Sequence, residues 1–398
     1  MTASANFGAG MFKTNVDSAL TDTPGAPLPT AADSWTRFNG GSGRVAYLLD
    51  RARVGIDAAL GISGRRLTDG RNAVATDGTA GLVWTMPMSA RTNVSGSATV
   101  GYRPVSANTL FPSLLEGSTT GPDPLDYQLN GDIDQYVTST AAVSASHALS
   151  RRSSLSAQYD ASHAWGSSTR VAQSTMAAGA KYDYSFRQGL TAHLGYTRRI
   201  GDYATGTSDN RSRSRSDVID VGVSYGHSLS LSRRSSLTFS SGSTGVSDGT
   251  STRYDVTGSA ALNYEVGRSW SAVAAYDRRA GFVETLAAPS FSDNGSASLS
   301  GLVTRRISVQ AQTGASRGEI GVSSQNSYWI YRASTSVGVA IFRSASIAFE
   351  YMNYSYQFDD TRYLPTGTSA RAHRQTVQVS LQLWAPIFQR LRNSNATR

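Results

Sequence analysis

The sequence predicts an all-β protein: a single transmembrane antiparallel up-and-down β-barrel of 18 strands, with 16 as the alternative count. Three observations carry this. Apolar and polar residues alternate at a period of two over strand-length segments. The apolar face is built from small residues bracketed by aromatics. Tight turns lie on one side of the hairpins and long polar loops on the other. The stretch Tyr254 to Tyr276 shows the first two together. One face carries Tyr254, Val256, Gly258, Ala260, Leu262, Tyr264 and Val266, then Trp270, Ala272, Ala274 and Tyr276, and the other carries Asp255, Thr257, Ser259, Asn263 and Glu265. The turn Gly267-Arg268-Ser269 joins the two arms. A soluble sandwich would fill that apolar face with Val, Ile and Leu, whereas small residues between aromatic ends suit a strand facing lipid.

Composition sets the bounds. With 398 residues, 38 glycines, 39% hydrophobic and 16% charged residues, the chain suits one large β architecture. It contains no run of 18 apolar residues, which excludes a helical membrane protein but not a barrel, whose strands need only about 9 to 11 alternating residues. With no cysteine there is no disulfide, thiol nucleophile or thiolate metal site. The opening MTASANFGAGMFKTNVDSAL lacks the apolar run of a secretory signal, so an export signal is expected to have been removed or to lie upstream. The formal charge of +9 invites a nucleic-acid partner. The arginines recur instead in short turns (Arg91, Arg151, Arg152, Arg187, Arg233, Arg234, Arg268, Arg305, Arg306, Arg343), where solvation beside lipid phosphates accounts for them. No nucleic acid is expected.

In chain order, residues 1–43 form an N-terminal segment with one strand candidate, Phe7 to Met11, and the Pro-rich loop PGAPLP. The barrel is expected over 44–388 and a tail over 389–398. Eight tight turns, near residues 51, 90, 151, 188, 234, 268, 305 and 344, define sixteen strands, and the segment from Val377 makes seventeen. An even number with both termini on the turn side requires an earlier strand, for which Phe7 to Met11 is the candidate. Longer polar loops at 64–80, 103–135, 198–216, 278–294 and 359–373 occupy the other side.

The pattern assigns roles. Trp165, Tyr196, Tyr254, Trp270, Tyr276 and Tyr331 sit near strand ends, as rings with a polar tip do at headgroup depth, and form aromatic girdles. Inward positions are mostly Ser, Thr, Gly and Gln with scattered charges: Asp160, Lys181, Asp183, Asp220, Asp255, Glu265, Arg332 and Glu350. Such a face is too small and polar to fill a barrel of this width, which predicts a water-filled lumen. The irregular segment from Arg103 holds Glu116, Asp123 and Asp126, with Asp132 and Asp134 just beyond, and Arg103 is its only base. Folded inward, these carboxylates would form a negative constriction. Outside the cell, they would form an acidic surface loop.

Chemistry of other kinds finds no foothold. His147, His163 and His227 fall on the lipid side and His193 faces inward. The outer-face Ser that would stand two residues from a barrel hydrolase's His is replaced by Leu149, Trp165 and Leu229. No Gly-rich phosphate loop opens a helix and no His/Asp/Glu set has metal spacing, so no enzyme, cofactor or metal is expected. The alternative to a channel is a non-transport barrel, an adhesin or scaffold.

Three phrases carry a resemblance: HSLSLSRRSSLTFSSGS (227–243), GFVETLAAPSFSD (281–293) and QTVQVSLQLWAPIF (375–388). They resemble an uncharacterised, porin-like family of bacterial outer-membrane β-barrel proteins often associated with exopolysaccharide secretion loci. The resemblance covers roughly the C-terminal half. The chain continues ten residues past Phe388, where such barrels usually finish on an aromatic strand end. The resemblance implies the bacterial outer membrane as location and an exit channel as function. It implies outer-membrane lipids, lipopolysaccharide, a hydrophilic solute or polysaccharide and a periplasmic export protein as partners. It brings no catalytic residues.

The acidic segment generates the first test. Deleting residues 106–130 enlarges single-channel conductance and abolishes cation preference if the segment folds inward; unchanged conductance and selectivity leave it a surface role.

Overall fold

The computed structural model describes residues 2–17, 35–51, 53–67, 72–104, 135–166, 172–187, 189–204, 211–225, 227–228, 234–247, 251–282, 289–322, 326–359 and 370–386. Eighteen antiparallel strands form one closed sheet. In order they are β1 (Thr2–Asp17), β2 (Thr36–Arg51), β3 (Val54–Leu67), β4 (Asn72–Pro87), β5 (Thr92–Pro104) and β6 (Gln135–Ala148). Next come β7 (Ser153–Gly166), β8 (Ala172–Arg187), β9 (Leu190–Ala204), β10 (Arg211–Tyr225, continued at His227–Ser228), β11 (Ser235–Ser247) and β12 (Thr252–Val266). The last six are β13 (Trp270–Phe282), β14 (Pro289–Leu302), β15 (Ile307–Ile320), β16 (Ser327–Phe342), β17 (Ala345–Phe358) and β18 (Arg371–Pro386). Each strand pairs with its sequence neighbours, and β1 pairs with β18 from Thr2↔Pro386 to Asp17↔Arg371, so the wall returns on itself.

The sequence explains the closure. Phe7, Ala9 and Met11 lie on the exposed face of β1, and the intervening Gly8 and Gly10 let it lie close against β18, where a Cβ on Gly10 would stand 2.4 Å from the Val377 carbonyl oxygen. The structure extends this strand well beyond the short alternating stretch, and β2 opens at Thr36, before alternation becomes legible.

The described tight turns, near residues 90, 151, 268, 305 and 344, gather at one end of the barrel. Their chemistry repeats: Ser89 Oγ accepts the amides of Arg91 and Thr92, Ser150 Oγ those of Arg152 and Ser153, and Thr304 Oγ1 those of Arg306 and Ile307. A hydroxyl bonding backbone two and three residues on holds the turn without glycine and leaves the arginine solvated. Where no such hydroxyl leads the turn, Gly189 and Gly267 adopt φ of 81° and 72°.

The outer face is the exposed apolar one. Leu60, Leu194, Ile219, Val221, Val256 and Leu299 all point out, alternating with polar residues that point in. Strands of 13 to 16 residues exceed the 9 to 11 that cross a hydrocarbon core, so their loop-side ends extend beyond it. Tryptophans near the turns lie flat over glycines of the next strand: Trp84 over Gly96 and Trp270 over Gly301, where a Cβ would stand 2.6 Å and 2.2 Å from the rings. Large ring and absent side chain fill one van der Waals layer between them.

Gly301→Val therefore lifts the Trp270 ring and costs about 1–3 kcal/mol, the usual range for overpacking. Gly43→Val, at a position with open space around it, is the control. Heat-modified mobility in detergent gels should show Gly301→Val unfolding at a lower temperature and Gly43→Val matching the parent.

Candidate channel

The inner face is lined by hydroxyls paired across neighbouring strands. Ser95 meets Ser144 at 2.7 Å, Thr99 meets Thr140 at 2.5 Å, Ser162 meets Thr175 at 2.5 Å, Ser240 meets Ser259 at 2.8 Å and Ser271 meets Ser300 at 3.0 Å. Directly opposed Ser and Thr side chains satisfy one another and keep further lone pairs for water.

By register, all eight sequence-assigned lumen charges occupy the face opposite the exposed apolar residues. Lys181 pairs with Asp183 at 3.5 Å along β8. Asp220 of β10 reaches the His193 imidazole of β9 at 3.0 Å, and the imidazole is almost wholly covered. Asp255 holds Arg253 at 3.2 Å and Arg278 at 2.7 Å. Glu350 accepts a hydrogen bond from Gln378 at 2.6 Å. Asp160, Glu265 and Arg332 share this face without forming one cluster. The constriction candidates Glu116, Asp123, Asp126, Asp132 and Asp134 lie outside the described residues.

Several lumen residues escaped the sequence reading. Asp57 and Asp77 lie over Gly81 and Gly61 of the adjoining strands, their carboxylates 2.3 Å from where a Cβ would stand. Towards the loop end of β15–β18 the inner wall carries Tyr328, Ile330, Met352, Tyr354, Tyr356 and Phe358, all buried, beside Arg374 and Thr376. The run YMNYSYQF places aromatics on both faces, Tyr351 outward and three others inward, so a single-face reading misses the second set. The lumen is thus polar through much of its wall and aromatic over this sector.

The six girdle candidates lie on the outer face. Trp165, Tyr196, Tyr254 and Tyr276 are exposed on the outer face, and Trp270 and Tyr331 are half-buried there. Tyr331 stacks on Trp329 with ring centroids 5.9 Å apart, and Trp165 meets the His163 ring tilted, at 5.0 Å. Two tyrosines use their polar tips alike: Tyr196 donates to Asp217 and Tyr276 to Asp293, both at 2.6 Å. Arg215 stands 2.7 Å from Asp217, and Arg278 stands 3.8 Å from Asp293. Nearer the loops, the Nε of Arg213 donates to Asp202 at 2.7 Å, which holds its guanidinium pKa above the ordinary value.

Closed wall, apolar outer band, polar inner face and paired girdles define a barrel of the membrane-spanning class. No family model and no curated protein matches the chain. Among solved structures it is similar to Pseudomonas aeruginosa OpdQ, at 8% identity and a TM-score of 0.43 over 97% of this chain and 99% of that one. It is similar to Pseudomonas aeruginosa OccK2 (OpdF), at 10% and 0.40 over 96% and 97%. It is also similar to the FrpB iron transporter from Neisseria meningitidis (F3-3 variant), at 8% and 0.47 over 96% and 81%.

The inner carboxylates yield a test. Replacing Asp160, Asp183 and Asp220 together by Asn keeps hydrogen-bonding shape and removes three negative charges from one arc of wall. The reversal potential under a salt gradient should move towards anion selectivity; an unmoved potential would mean that ions do not pass this arc.

Proposed function

We propose that the chain is a channel of the bacterial outer membrane that passes hydrophilic solutes. The observation that carries this reading is the opposition of faces: exposed apolar side chains around a closed wall, with hydroxyl pairs and charges facing inward. A barrel of 18 strands is of the size that encloses an aqueous passage unless side chains or inserted segments fill it. Glycan chains are the finer reading, supported by the hydroxyl-lined interior and by the sequence resemblance to barrels near exopolysaccharide loci. The same resemblance suggests a periplasmic export partner. The proposed role contains no catalytic step.

Purified protein in planar bilayers should give discrete conductance steps, and soluble oligosaccharides should block them in proportion to chain length. A sealed bilayer holding correctly folded protein would overturn the channel and leave an adhesin or scaffold barrel. Conductance insensitive to every oligosaccharide would overturn the glycan reading alone.

A further inference from the structure

The β11–β12 hairpin is paired along its whole length, from Ser235↔Tyr264 to Ser247↔Thr252, yet is attached incompletely on both sides. Towards β10 the ladder runs from Arg215↔Ser247 to Ile219↔Ser243, lapses, and resumes shifted by two residues at His227↔Leu237. Towards β13 it stops at Gly258↔Arg278, although both strands continue, β12 to Thr252 and β13 to Phe282.

Side chains replace the missing backbone bonds at this second seam. Arg253 of β12 forms an ion pair with Glu319 of β15 and lies over the Phe291 ring of β14, 4.2 Å from its centroid. Asp255 holds both Arg253 and Arg278, and Arg278 reaches Asp293. Beneath the ions, Val246, Phe291, Val322 and Ala280 form a dry cluster. By register Arg253 and Asp255 belong to the inner face of β12, alternating with the fully exposed Tyr254. Phe291 and Glu319 belong to the outer face of their strands, in line with Leu299. Contact between an inner and an outer face means that the two sheet segments overlap. The loop-side ends of β13–β15 therefore lie inside the arc of β11–β12, towards the lumen.

We propose that this overlap is a latch: the Arg253 cluster holds the loop-side ends of β13–β15 folded into the channel mouth, and its release lets them swing outward and widen the mouth. The device suits its position. The break lies at the loop end, beyond the hydrocarbon core, where unpaired backbone can bond water and no lipid forbids an open edge. Partly buried ion pairs with an arginine stacked on an aromatic ring are strong enough to hold two segments and still reversible. The effect on conduction rests on the channel reading; the movement itself does not.

The chain has no cysteine, so introduced thiols are the only ones. Spin labels at Val100→Cys, towards the loop end of β5 on the opposite side of the wall, and Arg317→Cys on β15, both exposed, report the distance across the mouth in purified protein. The otherwise native chain should give one distance population. Arg253→Ala, and Glu319→Gln with its shape kept, should each add a longer one. A distribution unchanged by both substitutions, in protein with normal heat-modified mobility, overturns the latch. In bilayers the same substitutions should raise occupancy of the larger conductance level about tenfold. A label-free parent that does not conduct would sink the channel reading, while the distance measurement would still decide the latch.

Discussion

Every backbone N–H and C=O that enters hydrocarbon must find a partner inside the protein, and that constraint shapes the whole chain. A sheet meets it only by closing. Here closure falls to β1, which bonds β2 on one side and β18 on the other, pairing Thr2 with Pro386 across the full sequence. The wall cannot be completed until β1 meets β18, and among the described residues this ladder closes the longest loop and so carries the highest closure entropy. Glycines at positions 8 and 10 reduce the steric demands of that join, since no side chain stands between β1 and the backbone of β18.

Once the ladder is closed, the two faces are fixed by the period of the strand, and their chemistry follows from what each meets. The lipid face gains nothing from interdigitating large side chains as a core does, because lipid adapts to any apolar surface. Small residues therefore suffice between girdles, and tryptophan can lie over glycine. The lumen face has water within reach, so paired hydroxyls replace a packed interior. Where this balance is broken, along the buried aromatic sector of β15–β18, the wall behaves like a protein core.

Much of the fold was legible because its signals are local. Alternation within one strand and Ser/Thr-led arginine turns such as SRRSS depend on residues a few positions apart, and they mark out the hairpins. The strand count needed β1, whose sequence TASANFGAGMFKTNVD alternates weakly because small residues occupy both faces. Asp57 escapes a reading of its segment for outward apolar residues alone, and Asp77 escapes because 64–80 reads as a polar loop, whereas β4 already opens at Asn72. The Arg253 cluster was illegible for a deeper reason. It depends on a ladder that stops while both strands continue, and nothing in either strand's own sequence records a missing partner. The acidic residues from Glu116 to Asp134 lie outside the described residues, so their role rests on sequence alone.

The seam and the aromatic sector meet on β14 and β15. On the outer side at the loop end, Phe291 is buried under Arg253 and beside Val246. On the inner side, Asn294, Ser316 and Ile320 are buried within the sector that holds Tyr328 and Ile330. A strand covered on both faces is no longer a wall between lipid and water; it is an interior layer, as a central strand is in a soluble protein. The closed ladder through the hydrocarbon and the layered arrangement beyond it are therefore two regimes in one sheet. The first is enforced by the absence of water around the backbone. The second is permitted by its return, and only in the second can side-chain contacts, which are separable one at a time, take over from a ladder that is not.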